Sequence, residues 1–356
     1  MNSSPKLLIV GRVPPPYGGV SVHLYRLTEY LKMAGFPFQF CDLSGSSNSN
    51  FINCNNLFRL TWALIARRYS VVHCHASNPL LVILIGLVSA LLNRKAIYTL
   101  HGEGNLLTCE NGSFPLKTVL RFVLRRATRI ITINSNCYTR ACQLVSSSDK
   151  ILQMPAYLPP TPSEFISQPI SDRIEEFLLE HSVCFASQGT FGNKYQGLDL
   201  YRFDLMAEAL LKLRETVSTA GLISFISQTL DPAARDEVFG LRQKMGLDHH
   251  WLILENFGSA LPIYLRCKAF IRPTMSDGDS LSIRECLDLG IPVIASDAVP
   301  RPDGCIIFKT GDVHSLHTSI LSLLTDYKYF NAQVKKTKTD NCYQPLLKCY
   351  IDCLAI

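Results

Sequence analysis

Short apolar runs and amphipathic helical segments alternate along almost the whole chain. The first run, Lys6–Val10, is followed by a Pro/Gly loop at 11–19 and a helical pattern at 20–34. The pattern predicts further strands at 36–43, 69–75, 96–101, 129–133, 182–187, 222–227, 251–255, 269–272, 293–296 and 305–308. Helical patterns lie between them, and Asp312 is the predicted N-cap of the helix at 313–327. This alternation predicts an α/β protein whose parallel sheets carry helices on both faces.

One proline-rich stretch divides the alternation into two halves. Residues 155–169 contain five prolines, which is typical of a linker between domains. We therefore expect a first domain at 1–160, a second at 161–340 and a C-terminal helix at 341–356 that packs back on the first domain. Residues 79–92 form the most apolar run, which is too short to span a membrane and predicts a buried helix.

Composition narrows the functional classes. The net charge of +6 is small and dispersed for a nucleic-acid-binding protein, so no nucleic-acid partner is expected. The 13 cysteines include no Cys-x-x-Cys pair, which favours free thiols in a reducing cytoplasm over disulfides or a metal site. No signal-peptide pattern begins the sequence.

The segment 277–297 has the strongest chemical signature. Asp277 and Glu285 flank a loop of small residues, a short helical pattern follows, and Gly290 and Pro292 precede an apolar strand. A loop entering a helix in an α/β sheet exposes amides that bind anions. We therefore predict a phosphate site, with sugar hydroxyls on the two carboxylates, at Gly278, Asp279, Ser280 and Leu281.

The first half holds two further candidate sites. Gly18 and Gly19 follow the first strand, where glycine lets a backbone approach a pyrophosphate closely. His101 ends a strand at Thr99-Leu100-His101-Gly102, and an imidazole there can donate to a phosphate that gains charge.

The order of these motifs resembles the retaining glycosyltransferases of family 4, from about residue 6 to about residue 324. The resemblance implies the GT-B architecture, in which two doubly wound Rossmann-like domains face each other across a cleft. It implies a hexosyltransferase that needs no metal and no cofactor, with a nucleotide-diphosphate sugar as donor. By the same resemblance, Gly18 and Gly19 lie near the donor phosphates and His101 near its sugar and β-phosphate. Asp277 contacts the donor sugar, although the family usually has Glu there, and Glu285 binds the ribose.

Two cationic positions depart from the family pattern. The family has an Arg after the first strand of the second domain and a Lys-Gly pair before the next helix. Here the strand leads to Ser187–Gly192 without an Arg, and Tyr201-Arg202 occupies the Lys-Gly position. The candidate replacements are Arg202, Lys194, Arg272 and Arg284, of which Arg284 is alternatively a solvent-facing helix residue. Arg272 is the best placed, because it ends a strand from which it can point to the ligand.

The acceptor and some alternatives stay open at this level. Family members of this kind often build capsule, exopolysaccharide or lipopolysaccharide, so the acceptor is expected to be a glycan or a polyprenyl-linked lipid. Arg121, Arg125, Arg126 and Arg129 beside Phe122 predict contact with the inner leaflet of the cell membrane, unless they form an ordinary amphipathic surface helix. A nucleotide-sugar epimerase of related architecture and a non-catalytic binding subunit are the alternative functions.

Overall fold

The computed structural model describes residues 6–45, 50–145, 148–166, 170–337 and 339–355. The chain divides into two compact units, one of Met1–Leu158 with Asp340–Ile356 and the other of Pro159–Thr339. The stretch expected to be a linker contains a short helix at Pro162–Ile166, while 167–169 lie outside the described residues.

The first unit is built on a seven-stranded parallel sheet. Its strands are β1 (Leu7–Gly11), β2 (Phe38–Asp42), β3 (Ile52–Asn53), β4 (Val71–Cys74), β5 (Lys95–Leu100), β6 (Arg129–Thr132) and β7 (Ile151–Gln153). The helices between them are α1 (Gly19–Met33), α2 (Leu57–Ala66), α3 (Pro79–Leu91), α4 (Gly104–Asn111), α5 (Phe114–Arg125) and α6 (Ser135–Leu144). The order β3-β2-β1-β4-β5-β6-β7 reverses direction beside β1, since β2 lies on one side of it and β4 on the other.

The second unit contains a six-stranded parallel sheet. It begins with α7 (Pro162–Ile166), α8 (Asp172–Glu180), β8 (Val183–Phe191), the hairpin β9 (Lys194–Tyr195) and β10 (Leu198–Asp199), and α9 (Phe203–Arg214). It continues with β11 (Ala220–Thr229), α10 (Pro232–Lys244), β12 (Trp251–Glu255), α11 (Leu261–Tyr264), β13 (Ala269–Arg272) and α12 (Leu281–Asp288). It ends with β14 (Val293–Ser296), β15 (Cys305–Phe308), α13 (Val313–Thr325) and α14 (Tyr327–Val334). The order β12-β11-β8-β13-β14-β15 places its own reversal between β8 and β13.

The last helix, α15 (Tyr343–Ala355), belongs to the first unit. Its buried side chains Leu346, Cys349 and Tyr350 pack in one cluster with β1 and α1, on Leu7 and Leu24 among others. The Lys95 ammonium, at the start of β5, donates to the carbonyl oxygen of Cys353 at 2.8 Å. Helix and sheet are therefore joined by both apolar and polar contacts.

The apolar pattern located the strands well, but one expectation about burial is wrong. The run at 79–92 does form a helix, α3, yet Leu80, Leu87 and Leu91 are exposed. Only its inner side, which includes Val82 and Ile85, enters the core. A surface helix of this apolarity is unusual, because helices that are hydrophobic all round are normally buried.

Two smaller expectations agree with the structure. All 13 cysteines are free. The expected N-cap of α13 is confirmed, since Asp312 accepts a hydrogen bond from the Ser315 amide at 3.0 Å.

Candidate functional site

The candidate groups of the first unit lie where its sheet reverses direction. In open α/β sheets, ligands bind outside the carboxyl ends of the strands at this reversal. Gly18 and Gly19 follow β1, His75 follows β4 directly, and His101 follows β5 directly. The three strands are neighbours, so these residues meet at one sheet edge.

The glycine pair lies at the N-terminus of α1. Gly18 is the N-cap of α1 and, having no side chain, makes no side-chain capping hydrogen bond. The Gly18 amide donates to Ser21 Oγ at 3.0 Å. A Cβ added to Gly19 would meet nothing within 4 Å, and Gly18 has an ordinary φ of −141°. The fold itself therefore does not require glycine at these two positions.

Hydrogen bonds join His101 to the interior of the first unit. His101 Nε2 lies 2.8 Å from His75 Nδ1, and His75 Nε2 lies 3.2 Å from His73 Nδ1. The line ends at Thr99 Oγ1 and the Tyr350 hydroxyl, each 2.7 Å from His73. Sequence reasoning found only His101, although the His73-x-His75 pair at the end of a strand was a signal. The partner on α15 gave no signal.

A third imidazole, that of His23 on α1, completes a cluster with His75 and His101. His23 Nδ1 donates to the Ala156 carbonyl oxygen at 2.8 Å, while its buried Nε2 has no hydrogen-bond partner among the described residues. Burial lowers the pKa of His23 to about 4 and holds the pKa values of His75 and His101 well below the usual range. One ligating atom from each ring lies within 4.8 Å of the others. Neutral imidazoles bind transition metals, so this cluster is where such an ion could be held, and the expected metal independence stays a prediction.

The second unit repeats this arrangement at its own sheet reversal. Arg272 ends β13, and its Nη1 donates to the carbonyl oxygen of Gln188 on the neighbouring β8 at 3.1 Å. The Arg272 guanidinium also lies 5.1 Å from the centre of the Tyr201 ring. Arg272 ends a strand, as predicted, and it lies beside the loop that carries Asp277.

Asp277 is held by two guanidinium groups. Arg272 donates to both of its oxygens, from Nε at 2.9 Å and from Nη2 at 3.1 Å. Arg301 Nη1 donates at 2.9 Å, Thr274 Oγ1 at 3.3 Å and the Gly278 amide at 3.1 Å. Burial favours the neutral acid, but the two arginines outweigh it and lower the pKa of Asp277. Two cations therefore share one anion, and Arg301, which sequence reasoning missed, supplies the second cation.

The N-terminus of α12 is open. Ser280 is its N-cap but makes no capping hydrogen bond, and its buried Oγ has no partner among the described residues. The helix begins at Leu281, and Glu285, just over one turn later, is buried. Asp279 forms an ion pair with Arg284, so that predicted site residue is engaged within the protein. An orphaned buried hydroxyl beside uncapped amides is the environment that an anion satisfies.

Arg202 lies beside the same loop. It has a left-handed backbone, with φ of 48°, directly before α9. Its Nη2 donates to Asp204 at 2.8 Å, and its Nη1 lies 3.5 Å from the sulfur of Met275. The Met275 amide in turn donates to the Leu200 carbonyl oxygen at 3.0 Å. The predicted residues of the second unit thus gather around one loop, with the charge of Arg202 already balanced by a carboxylate.

The comparisons with known proteins rest on structure. No family model matches the chain, and no curated protein matches it by sequence. HepE from Anabaena, solved with UDP and glucose, is 14% identical, with 93% of both chains covered and a TM-score of 0.67. Sucrose-phosphate synthase from Thermosynechococcus elongatus is 16% identical, with 99% of this chain and 100% of that one covered and a TM-score of 0.70. The catalytic domain of starch synthase IV from Arabidopsis thaliana, bound to ADP and acarbose, is 10% identical, with 99% and 100% covered and a TM-score of 0.69. The expected GT-B fold is confirmed.

Proposed function

We propose that the chain is a retaining glycosyltransferase of family 4 that uses a nucleotide-diphosphate sugar as donor. The observation that carries the proposal is the open N-terminus of α12, with the orphaned Ser280 hydroxyl and the buried Glu285 beside it. Amides and a hydroxyl suit a diphosphate, and a carboxylate one turn away suits the paired hydroxyls of a ribose. The fold is shared with proteins solved with UDP, glucose and ADP, which supports this donor class.

The charge around Asp277 supports the same donor. Arg272 and Arg301 bring two positive charges to one carboxylate, so the cluster has a net charge of +1 beside the anion site. We propose that this excess replaces the family's missing cations and stabilises the leaving diphosphate. Asp277 then holds the two guanidiniums in place, in addition to the expected contact with the donor sugar.

In the first unit we propose that His101 acts on the donor as a neutral hydrogen-bond donor. If His75 donates from Nδ1 to His101 Nε2, the proton of neutral His101 is on Nδ1, where it is available to a phosphate oxygen. The Gly19 amide, at the first position of α1, supplies a further donor. Donors fixed in advance stabilise charge as it develops on the β-phosphate, so the reaction as proposed needs neither a metal nor a cofactor.

The acceptor in this proposal is a glycan or a polyprenyl-linked lipid, in the synthesis of a bacterial surface polysaccharide at the cytoplasmic face of the cell membrane. Among the described residues, no helix has both the length and the apolarity needed to cross a bilayer. Membrane contact in this proposal is peripheral. The sugar is transferred with retention of its anomeric configuration.

Calorimetric titration with UDP-glucose, ADP-glucose and other nucleotide sugars tests the donor site. Glu285→Gln should weaken binding of the cognate donor by at least about tenfold, because a buried carboxylate that accepts two hydroxyls contributes well over 1 kcal/mol. Glu237→Gln is the matched control, since Glu237 is exposed on α10. Equal affinities for the two variants would refute the role of Glu285.

Product analysis separates the proposed transfer from the alternatives. The transferase should release nucleoside diphosphate and form a glycoside whose anomeric proton, observed by NMR, has the configuration of the donor. Conversion of the donor to an epimer without an acceptor would instead identify an epimerase. A protein that binds no nucleotide sugar would be a non-catalytic subunit. Arg202 and Arg272 already form ion pairs within the protein, which is the observation in favour of this alternative.

A further inference from the structure

Three neighbouring helices of the first unit have exposed apolar faces. On α2, Phe58 is 78% exposed and Trp62 is 65% exposed, and they lie one turn apart. Leu87 and Leu91 on α3 are exposed in the same way, as is Phe122 on α5. We call the exposed side of these three helices the apolar face.

The faces lie on the same side of the sheet. The opposite sides of the helices enter one core cluster, through Leu60 and Leu64 on α2, Ile85 on α3 and Leu120 on α5. Helix α3 contacts both α2 and α5. Helices that bury their inner sides in one core present their outer sides together, so the exposed side chains form one surface rather than scattered single residues, which would need no explanation.

Charge is strongly concentrated in the same part of the chain. Residues 43–148 contain eleven lysines and arginines but only two acidic residues, Glu103 and Glu110. The other residues contain 24 basic and 27 acidic side chains, so they are slightly negative. The expectation of a dispersed charge is therefore wrong. Helices α2, α3 and α5 contain no acidic residue at all, and Arg59, Arg68 and Arg126 are exposed on them or at their ends.

We propose that the apolar face of α2, α3 and α5 docks on an anionic lipid bilayer. Exposed aromatic and leucine side chains, with exposed arginines on the same helices or at their ends, are the composition of surfaces that lie in the bilayer interface. A second copy of the chain is a poor occupant, because a symmetric dimer would bring two positive faces together. Nucleic acid would pair with the arginines but leave Trp62 and Leu91 in water.

The inference names the membrane partner of the proposed transferase and rests on that function for its purpose, although the binding itself does not depend on it. One expectation changes in detail. Arg129 begins β6 and donates to the Thr128 carbonyl oxygen at 3.0 Å, so it is not part of α5. Arg126, which lies 5.7 Å from the centre of the exposed Phe122 ring, stays at the face.

The two tryptophans give this proposal a direct optical test. Trp62 is on the apolar face, whereas Trp251 is fully buried in the second unit. Vesicles of phosphatidylcholine with phosphatidylglycerol should shift the emission of Trp62 to shorter wavelength, and brominated acyl chains should quench it. Vesicles of phosphatidylcholine alone should do neither. Trp62→Phe should keep vesicle binding in sedimentation while it removes the optical change.

Substitutions should separate the apolar contribution from the electrostatic one. Phe58→Ser should lower the partition coefficient at least about tenfold, because a phenylalanine that leaves the interface loses most of its buried area. Arg68→Glu with Arg126→Glu should lower it at least about 25-fold, at about fivefold for each basic residue removed. Leu179→Ser and Lys244→Glu, both exposed in the second unit, are the matched controls and should bind like the wild type.

Several results would overturn the proposal. It fails if anionic vesicles do not sediment the protein, if neutral vesicles bind it equally well, or if the protein binds without a change at Trp62. Self-association that Phe58→Ser abolishes would identify an interface between copies instead, and tighter binding to an oligonucleotide than to vesicles would identify a nucleic-acid surface. Donor affinity, measured by calorimetry on the same variants, should not change. If the wild type binds no donor, the proposed function is refuted, and the vesicle measurements still decide the membrane proposal on their own.

Discussion

Asp277→Asn is expected to destabilise the second unit strongly. The side chain of Asp277 is only 10% exposed, and those of Arg272 and Arg301 are 11% and 3% exposed. Neutral asparagine would leave two buried guanidiniums facing each other without an anion. Breaking a buried pair by removing one partner costs about 3–5 kcal/mol. For a domain of this length, that corresponds to a fall of about 6–20 °C in the melting temperature.

The assay uses Trp251 as its reporter. In a Trp62→Phe background, Trp251 is the one remaining tryptophan and lies in the second unit, so its fluorescence during urea unfolding follows that unit. Asp303→Asn is the control, because Asp303 is an exposed carboxylate close in sequence to Arg301, and its effect should stay within about 0.5 kcal/mol. The double variant Asp277→Asn/Arg301→Met should lose less unfolding free energy than the two single variants lose together, because the two side chains contact each other.

The pH dependence gives a second check. The pKa of Asp277 is lower in the folded protein than in the unfolded chain, where it is about 3.9. The stabilisation is therefore fully present above about pH 4 and is lost as the pH falls through the folded value. The difference in unfolding free energy between wild type and Asp277→Asn should be constant from pH 8 to pH 5 and should narrow only below pH 5. A loss of less than about 1 kcal/mol, or a gap that closes near neutral pH, would refute this account of the network.

Three further predictions follow from the first unit. Burial lowers the pKa of His23 to about 4, so the stability that its neutral form gives is present above pH 6.5 and is lost as the pH falls toward 4. His23→Phe should therefore flatten the acid side of a plot of urea midpoint against pH. For one imidazole this loss of unfolding free energy amounts to about 3 kcal/mol. Gly19→Val should leave the melting temperature within about 2 °C of the wild type, because its side chain meets open space, but it should reduce donor affinity in calorimetry more than tenfold. Gly240→Ala is the control. An unchanged affinity of Gly19→Val would remove Gly19 from the site. Dialysis against EDTA should leave transfer activity unchanged, whereas a loss that Zn²⁺ restores in the wild type but not in His75→Ala would show that the imidazole cluster holds a catalytic metal.

The amino-acid pattern was a good guide to elements and a poorer one to contacts. The strands at 251–255, 269–272, 293–296 and 305–308 were predicted to the residue, because short apolar runs between turn residues leave little choice of structure. The exposure of α3 was missed because apolarity alone does not say which side of a helix another element covers. Helix α7, at Pro162–Ile166, was missed because prolines suit the first turn of a helix as well as a linker.

The site residues divide in the same way. Gly18, His101 and Ser280 could be located because each follows a predicted strand or begins a predicted helix. Arg301 and Tyr350 could not, because they reach the site across 24 and 277 positions of the chain, to Asp277 and His73 respectively. Contacts of that length depend on packing, and no local pattern of residue types encodes them.

The position of α15 has a consequence for biosynthesis. The ribosome completes residues 343–355 only after it has made the whole second unit, yet these residues supply part of the core around β1 and the Tyr350 partner of His73. The second unit is contiguous in sequence and can fold as soon as it emerges, whereas the nascent first unit must wait with an apolar surface uncovered. The half of the protein that is translated first is therefore the half that is completed last.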